Sequence, residues 1–183
     1  MILSILIPSL EKRNHLLNDM LACIGETTED FEIVTLIDQG EVSTGSKRNT
    51  LLNMAIGEYV WFVDDDDELL NGAVNKVIEA CKTGADVITY NGFMTTNGTN
   101  REDFEIRLGH GYETVKRNGK NFYLRYPNHI NPMKREIALQ VGFPDLTYKE
   151  DYIFAKELND RGLLKAEFII NEDLYHYKYI KDK

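Results

Sequence analysis

Apolar and polar residues alternate between two patterns along the first half of the chain. Ile2-Leu3-Ser4-Ile5-Leu6-Ile7 is a nearly continuous apolar run of strand length, stopped by Pro8 and Ser9. Such runs suit strands covered on both faces in a parallel sheet. Leu16, Leu17, Met20, Leu21 and Ile24 then recur at helical spacing, with Gly25 as a stop and Ser9 as a possible cap. The alternation repeats. Phe31 to Ile37 reads as a second strand ending in Asp38-Gln39-Gly40. A helix from about Ser46 follows, with Leu51, Leu52, Met54, Ala55 and Ile56 as its apolar positions and Gly57 as its end. Tyr59 to Val63 is a third strand, Leu69 to Cys81 a helix, and Asp86 to Tyr90 a fourth strand.

This β-α-β-α-β-α-β order predicts an α/β fold with a mostly parallel sheet and helices on both faces. In such sheets ligands bind beyond the C-terminal strand edges. Three polar segments fall there: Ser9-Leu10-Glu11, Asp38-Gln39, and Asp64-Asp65-Asp66-Asp67. Residues 93–127 predict short antiparallel strands and loops. Lys134 to Val141 and Tyr148 to Arg161 predict helices, and Lys165 to Ile170 and Leu174 to Tyr177 closing strands. No repeat, low-complexity tract or linker divides the chain. It is expected to form one domain over residues 1–183, with a 1–91 half and a 92–183 half.

Composition adds little to this picture. The net charge is −9, which disfavours nonspecific nucleic-acid binding. The charge is uneven, however: Lys116, Arg117, Lys120, Arg125, Lys134 and Arg135 lie in a stretch without acids that suits a polyanion. Cys23 and Cys81 form no CxxC pair and read as reduced core thiols of a cytoplasmic protein. No apolar run reaches the length of a membrane span, and the N-terminal run lacks the basic start and cleavage site of a signal peptide.

The acidic run changes the picture most. Four adjacent carboxylates repel and need compensation, which a hard divalent cation on oxygen ligands can supply. The alternative is a solvated acidic loop. Glu150-Asp151 at a helix start can likewise be acids that stabilise the helix dipole. His129 reads as a loop histidine that can line a site. Tyr123, Tyr126 and Tyr148 can serve as sugar-stacking platforms or as ordinary packing.

Five segments together resemble glycosyltransferase family 2 on a GT-A fold: "SILIPSL", "FEIVTLIDQG", "GSKRNTLLNMAIGEYVWFVDDDDEL", "GFPDLTYKEDYIFAKEL" and "LYHYKY". The third is the most specific. The resemblance implies an inverting, metal-dependent transferase using a nucleotide-sugar, with UDP-sugar as the expected donor and Mn²⁺ or Mg²⁺ as cofactor. It implies that Asp66 binds the metal and that Asp64 holds ribose or a metal-bound water. Asp65 and Asp67 can exchange roles with them, since a run of four leaves the frame open. It further implies that Pro8, Ser9 and Glu11 shape the nucleotide pocket, Asp38 meets the base, Arg48 holds the nucleotide, Asp151 is the catalytic base and His176 is a third metal ligand or a diphosphate contact. The turn Asp38-Gln39-Gly40-Glu41 departs from the family's paired acids. Residues 92–127 lie outside these five segments, and the resemblance implies that acceptor specificity resides there. The acceptor can be a glycan, a lipid-linked sugar, a protein or a modified DNA base.

Two other classes are weaker. A nucleotidyltransferase needs a glycine-rich loop after the first strand, which "IPSLEKRNHL" lacks. A silent nucleotide-sugar-binding module does not need both Asp66 and Asp151.

Overall fold

The computed structural model describes residues 1–25, 30–70 and 72–181. The first apolar run forms β1 (Leu3–Leu10), followed by a 3₁₀ turn (Glu11–Arg13) and α1 (Asn14–Ile24). Next come β2 (Phe31–Asp38), α2 (Thr44–Met54), β3 (Tyr59–Phe62), the two-residue β4 (Glu68–Leu69) and α3 (Ala73–Cys81). The chain continues through β5 (Val87–Thr96), β6 (Thr99–Ile106), β7 (Glu113–Arg117), β8 (Lys120–Arg125) and β9 (Met133–Lys134). It closes with α4 (Arg135–Val141), α5 (Glu150–Asp160) and β10 (Glu167–Tyr179).

One mixed sheet runs β2-β1-β3-β9-β5-β6-β8-β7, with β10 beside β5. β1 pairs parallel with β2 and β3, and β10 with β5. β9 enters antiparallel between β3 and β5, and β6 extends β5 antiparallel into the second half. Apolar side chains bury both faces, as the continuous runs predict. Leu3, Ile5, Ile7 and Trp61 pack against α1 and α3, while Leu6, Val60 and Phe62 pack against α2, α4 and α5.

Several expectations shift in detail. The predicted helix from Leu69 begins at Ala73, because Glu68–Leu69 pairs with β10 (Asn71 lies outside the described residues). The two closing strands are one, β10, with register shifts around Asp173. Cys81 is buried but Cys23 is exposed, so the pair are not both core thiols. Ser9 caps no helix: its hydroxyl donates to Asp65 Oδ2 at 2.6 Å, and α1 starts only at Asn14.

Helix α2 departs most from its pattern. Met54 and Ile56 are exposed, while Lys47 and Arg48 are buried with Leu51, Leu52 and Ala55. These five residues share one stripe at helical spacing, so the inward face carries two cations. Buried cations require partners. Each of these finds one at the sheet's C-terminal edge.

Candidate active site

The site grows out of α2. Ser43 caps the helix by accepting from the Ser46 N–H at 3.1 Å. Asn49 holds Phe143 from both sides: its amide donates to the Phe143 carbonyl at 2.7 Å and its Oδ1 accepts from the Phe143 N–H at 2.8 Å. The Gly45 N–H donates to the Leu146 carbonyl at 2.9 Å. A Cβ on Gly45 would sit 1.9 Å from the Pro144 carbonyl oxygen, so only glycine permits this approach. Helix α2 thereby fixes the loop that delivers Glu150 and Asp151 to the start of α5.

Arg48 is almost wholly buried, with its guanidinium near the rings of Phe62 and Phe143. Its Nη2 donates to Asp64 Oδ1 at 2.8 Å and its Nε to Glu150 Oε1 at 3.3 Å. Burial would raise the Asp64 pKa, but Arg48 and His129 outweigh it and hold the carboxyl far below its usual range. Glu150 is raised, chiefly by burial, with Arg48 opposing.

His129 is buried between two of the predicted site acids. Its Nε2 lies 3.5 Å from Asp64 Oδ2 and its Nδ1 3.9 Å from Asp151 Oδ2. The loop is pinned on either side. The Trp61 indole donates to the Ile130 carbonyl at 2.6 Å, the Tyr90 hydroxyl donates to the same carbonyl, and the Asn128 N–H donates to Asn131 Oδ1 at 3.1 Å.

The acidic run divides among partners. Asp65 accepts from Ser9 and lies 2.9 Å from Arg13 Nη2, and the same nitrogen contacts Asp66 Oδ2. Asp65 is raised by burial against the pull of Ser9 and Arg13. Asp67 accepts from the Tyr175 hydroxyl at 2.7 Å and the Lys178 N–H at 2.9 Å. Burial and the Asp64 charge push it well above the usual carboxylate range. Two arginines, with hydrogen bonds from Ser9, Tyr175 and the Lys178 N–H, therefore relieve the repulsion that the sequence sets up.

Asp64, Asp67, Asn128, His129 and Asp151 line a cavity of about 380 Å³. Its other wall comes from the β6–β8 region, with Phe104, Ile106, Tyr112, Tyr123 and Arg125, and from Tyr175 and Tyr177 of β10. Arg125 stacks over Tyr112 at 3.9 Å, and Tyr112 also packs edge-on against Tyr152.

Other predicted site residues stand elsewhere. Asp38 Oδ1 accepts from the buried Lys47 ammonium at 2.6 Å, and its Oδ2 from the Val42 N–H at 2.9 Å. Burial raises its pKa less than Lys47 and these bonds lower it. Pro8 is buried within β1, and Glu11 is exposed, accepting from Gln39 Nε2 at 3.1 Å. His176 is not brought to Asp66. Strand alternation turns Tyr175 and Tyr177 to the cavity and His176 to the opposite face. There it stacks on Phe93, with Nδ1 3.2 Å from Glu68 and Nε2 2.8 Å from Thr95 Oγ1. The basic stretch is divided as well: Lys134 pairs with Asp86 and Arg135 binds the Leu52 carbonyl, leaving the β7–β8 hairpin with the rest.

The sequence pattern did not point to Arg13, Tyr112 or Tyr177, and it placed Arg125 only in a basic stretch suited to a polyanion. Only Arg13 had a usable signal, a basic residue just past a strand end that faces four acids.

The sequence profile of glycosyl transferase family 2 matches residues 22–142, more than half of the chain. The protein belongs to this family. Among solved structures, S. aureus TarS 1–349 in complex with UDP-GlcNAc matches with a TM-score of 0.70 and 18% identity, over 100% of this chain and 60% of that one. The same TarS portion in complex with UDP matches at 0.68 and 17%, over 97% and 60%. A further S. aureus TarS structure matches at 0.67 and 18%, over 97% of this chain and 37% of its own. The chain thus spans at most 60% of these proteins' length. At such identity the likeness is one of fold, the GT-A arrangement of a mostly parallel sheet with an antiparallel extension. No curated protein matches the chain. Among the described residues, no helix is long and apolar enough to cross a membrane.

Proposed function

We propose that this protein is an inverting transferase that moves a sugar from a nucleoside diphosphate, UDP by preference, to an acceptor hydroxyl in the aromatic-walled cavity. The observation that carries the reading is the meeting of Asp64 and Asp151 on His129 at the cavity floor. Three distant segments converge there, at the C-terminal edge where ligands of α/β sheets bind. The TarS complexes with UDP-GlcNAc and UDP support the donor class.

Asp151 accepts the acceptor's proton as its oxygen bonds to the anomeric carbon. The bond from that carbon to the diphosphate oxygen breaks, its electron pair leaves with the diphosphate, and configuration inverts. His129 and Arg48 hold the Asp64 carboxylate in place.

A cation fits the residues present in one particular way. Among the described residues, no three His, Cys, Asp or Glu side chains converge as a cage. Asp65 and Asp66 do converge, with one oxygen each on the cationic Nη2 of Arg13. That matches a Mg²⁺ or Mn²⁺ site built from one or two carboxylates plus substrate phosphates. Lewis-acid neutralisation of the leaving diphosphate is what the cation supplies when held at Asp66.

A saccharide acceptor suits the cavity wall, where Tyr112, Tyr123 and Tyr177 stand beside carboxylates that can accept from sugar hydroxyls. A modified DNA base is less well served, because Lys134 and Arg135 are engaged within the fold and three carboxylates line the cavity. Calorimetry with UDP, with and without Mn²⁺, on wild type and Asp66→Ala tests the donor reading. Metal-dependent binding that is lost in the variant is expected. Absence of UDP binding in both conditions overturns it.

A further inference from the structure

Arg13 and Arg48 both neutralise the acidic run, but they are held very differently. Arg48 is locked between Asp64 and Glu150 against two phenylalanines, with 3% of its side chain exposed. Arg13 is 26% exposed. It ends a 3₁₀ turn that contains no buried residue and has no side-chain cap. One of its nitrogens meets both Asp65 and Asp66, the place where the proposed cation would have to enter. Two positive charges cannot share those oxygens without repulsion.

We propose that Arg13 is a resident counter-cation of the acidic turn. It competes with the divalent cation for Asp65 and Asp66 and is displaced onto the phosphates of the donor when metal and nucleoside diphosphate bind together. This rests on the donor-site reading above. At each step the carboxylates keep a cationic partner. With the site empty, the guanidinium prevents carboxylate repulsion. With it filled, the cation takes over that task, and the freed planar fork matches a diphosphate's oxygens. Ser9 remains on Asp65 throughout, which keeps that carboxylate oriented. The consequence is ordered loading: metal alone binds weakly, and metal with nucleotide binds well.

The test is Mn²⁺ titration without nucleotide, followed by the paramagnetic resonance signal of free Mn²⁺, on wild type, Arg13→Gln and Arg13→Lys. Removing the competing guanidinium should tighten Mn²⁺ binding about fivefold in Arg13→Gln. Arg13→Lys, which keeps the charge, should stay within about twofold of wild type. UDP binding at saturating Mn²⁺ should weaken about tenfold in Arg13→Gln, because a charge-assisted phosphate contact is lost. Circular dichroism checks the fold, and Arg13→Ser repeats the test should Arg13→Gln unfold. Unchanged or weaker Mn²⁺ binding in the uncharged variants, with metal-dependent UDP binding intact in wild type, overturns the competition. Wild type that binds no UDP under any condition overturns the donor reading, and this proposal with it.

Discussion

Arg48→Met isolates the interaction on which the site depends most. Methionine keeps much of the packing against Phe62 and Phe143 but removes the charge facing Asp64 and Glu150. Breaking a buried ion pair from one side costs about 3–5 kcal/mol, because the remaining charge stays desolvated. Here two carboxylates lose one cation, so the upper part of that range is expected. For a chain of this size, that lowers Tm by about 6–20 °C.

The pH dependence supplies the sign. Without Arg48, the folded pKa values of Glu150 and Asp64 both rise. A carboxyl whose folded pKa is raised stabilises the protein below its unfolded value, and that contribution is lost as pH rises through the folded value. The stability gap between wild type and Arg48→Met should therefore shrink as pH falls from 8 towards 5. Adding Glu150→Gln removes one uncompensated charge and should recover at least about 1 kcal/mol. Urea denaturation of the single and double variants at several pH values measures all three quantities. A loss under about 1 kcal/mol that does not change with pH would refute the argument, since it would mean that water already solvates these carboxylates.

Four further outcomes are expected. Asp151→Asn should lower kcat about 10²–10⁴-fold in a sugar-transfer assay while UDP binding is retained, as for loss of a general base. Tyr112→Ala should raise the acceptor KM about tenfold, as for a lost stacking face, with donor KM unchanged in steady-state kinetics. Gly45→Ala should destabilise the fold by about 1–3 kcal/mol in thermal melts and lower kcat, because the Pro144 carbonyl must move and Glu150 and Asp151 follow it. Asp38→Asn should destabilise the protein more at pH 7 than at pH 3. The Asp38 pKa lies below its usual value, so its contribution is present above that value and is lost on acidification.

The order of strands and helices was legible in the chain itself. Runs such as Ile2 to Ile7 and Tyr59 to Val63 bury on both faces whatever surrounds them, and the α/β alternation leaves few ways to pair them. Hence the C-terminal edge, the acidic run upon it and the family were all readable from local pattern. The partners of the polar residues were not. Arg48 reaches Asp64 and Glu150, Arg13 reaches Asp65 and Asp66, and His129 lies between Asp64 and Asp151. These contacts span tens of residues, and no local period encodes them. His176 shows the same limit within one strand. Its neighbours Tyr175 and Tyr177 face the cavity, and only the register of β10 against β4 and β5 decides which face the histidine takes. Sequence placed the charges at one edge. Packing alone decided that two arginines and the hydroxyls of Ser9 and Tyr175 would hold them there.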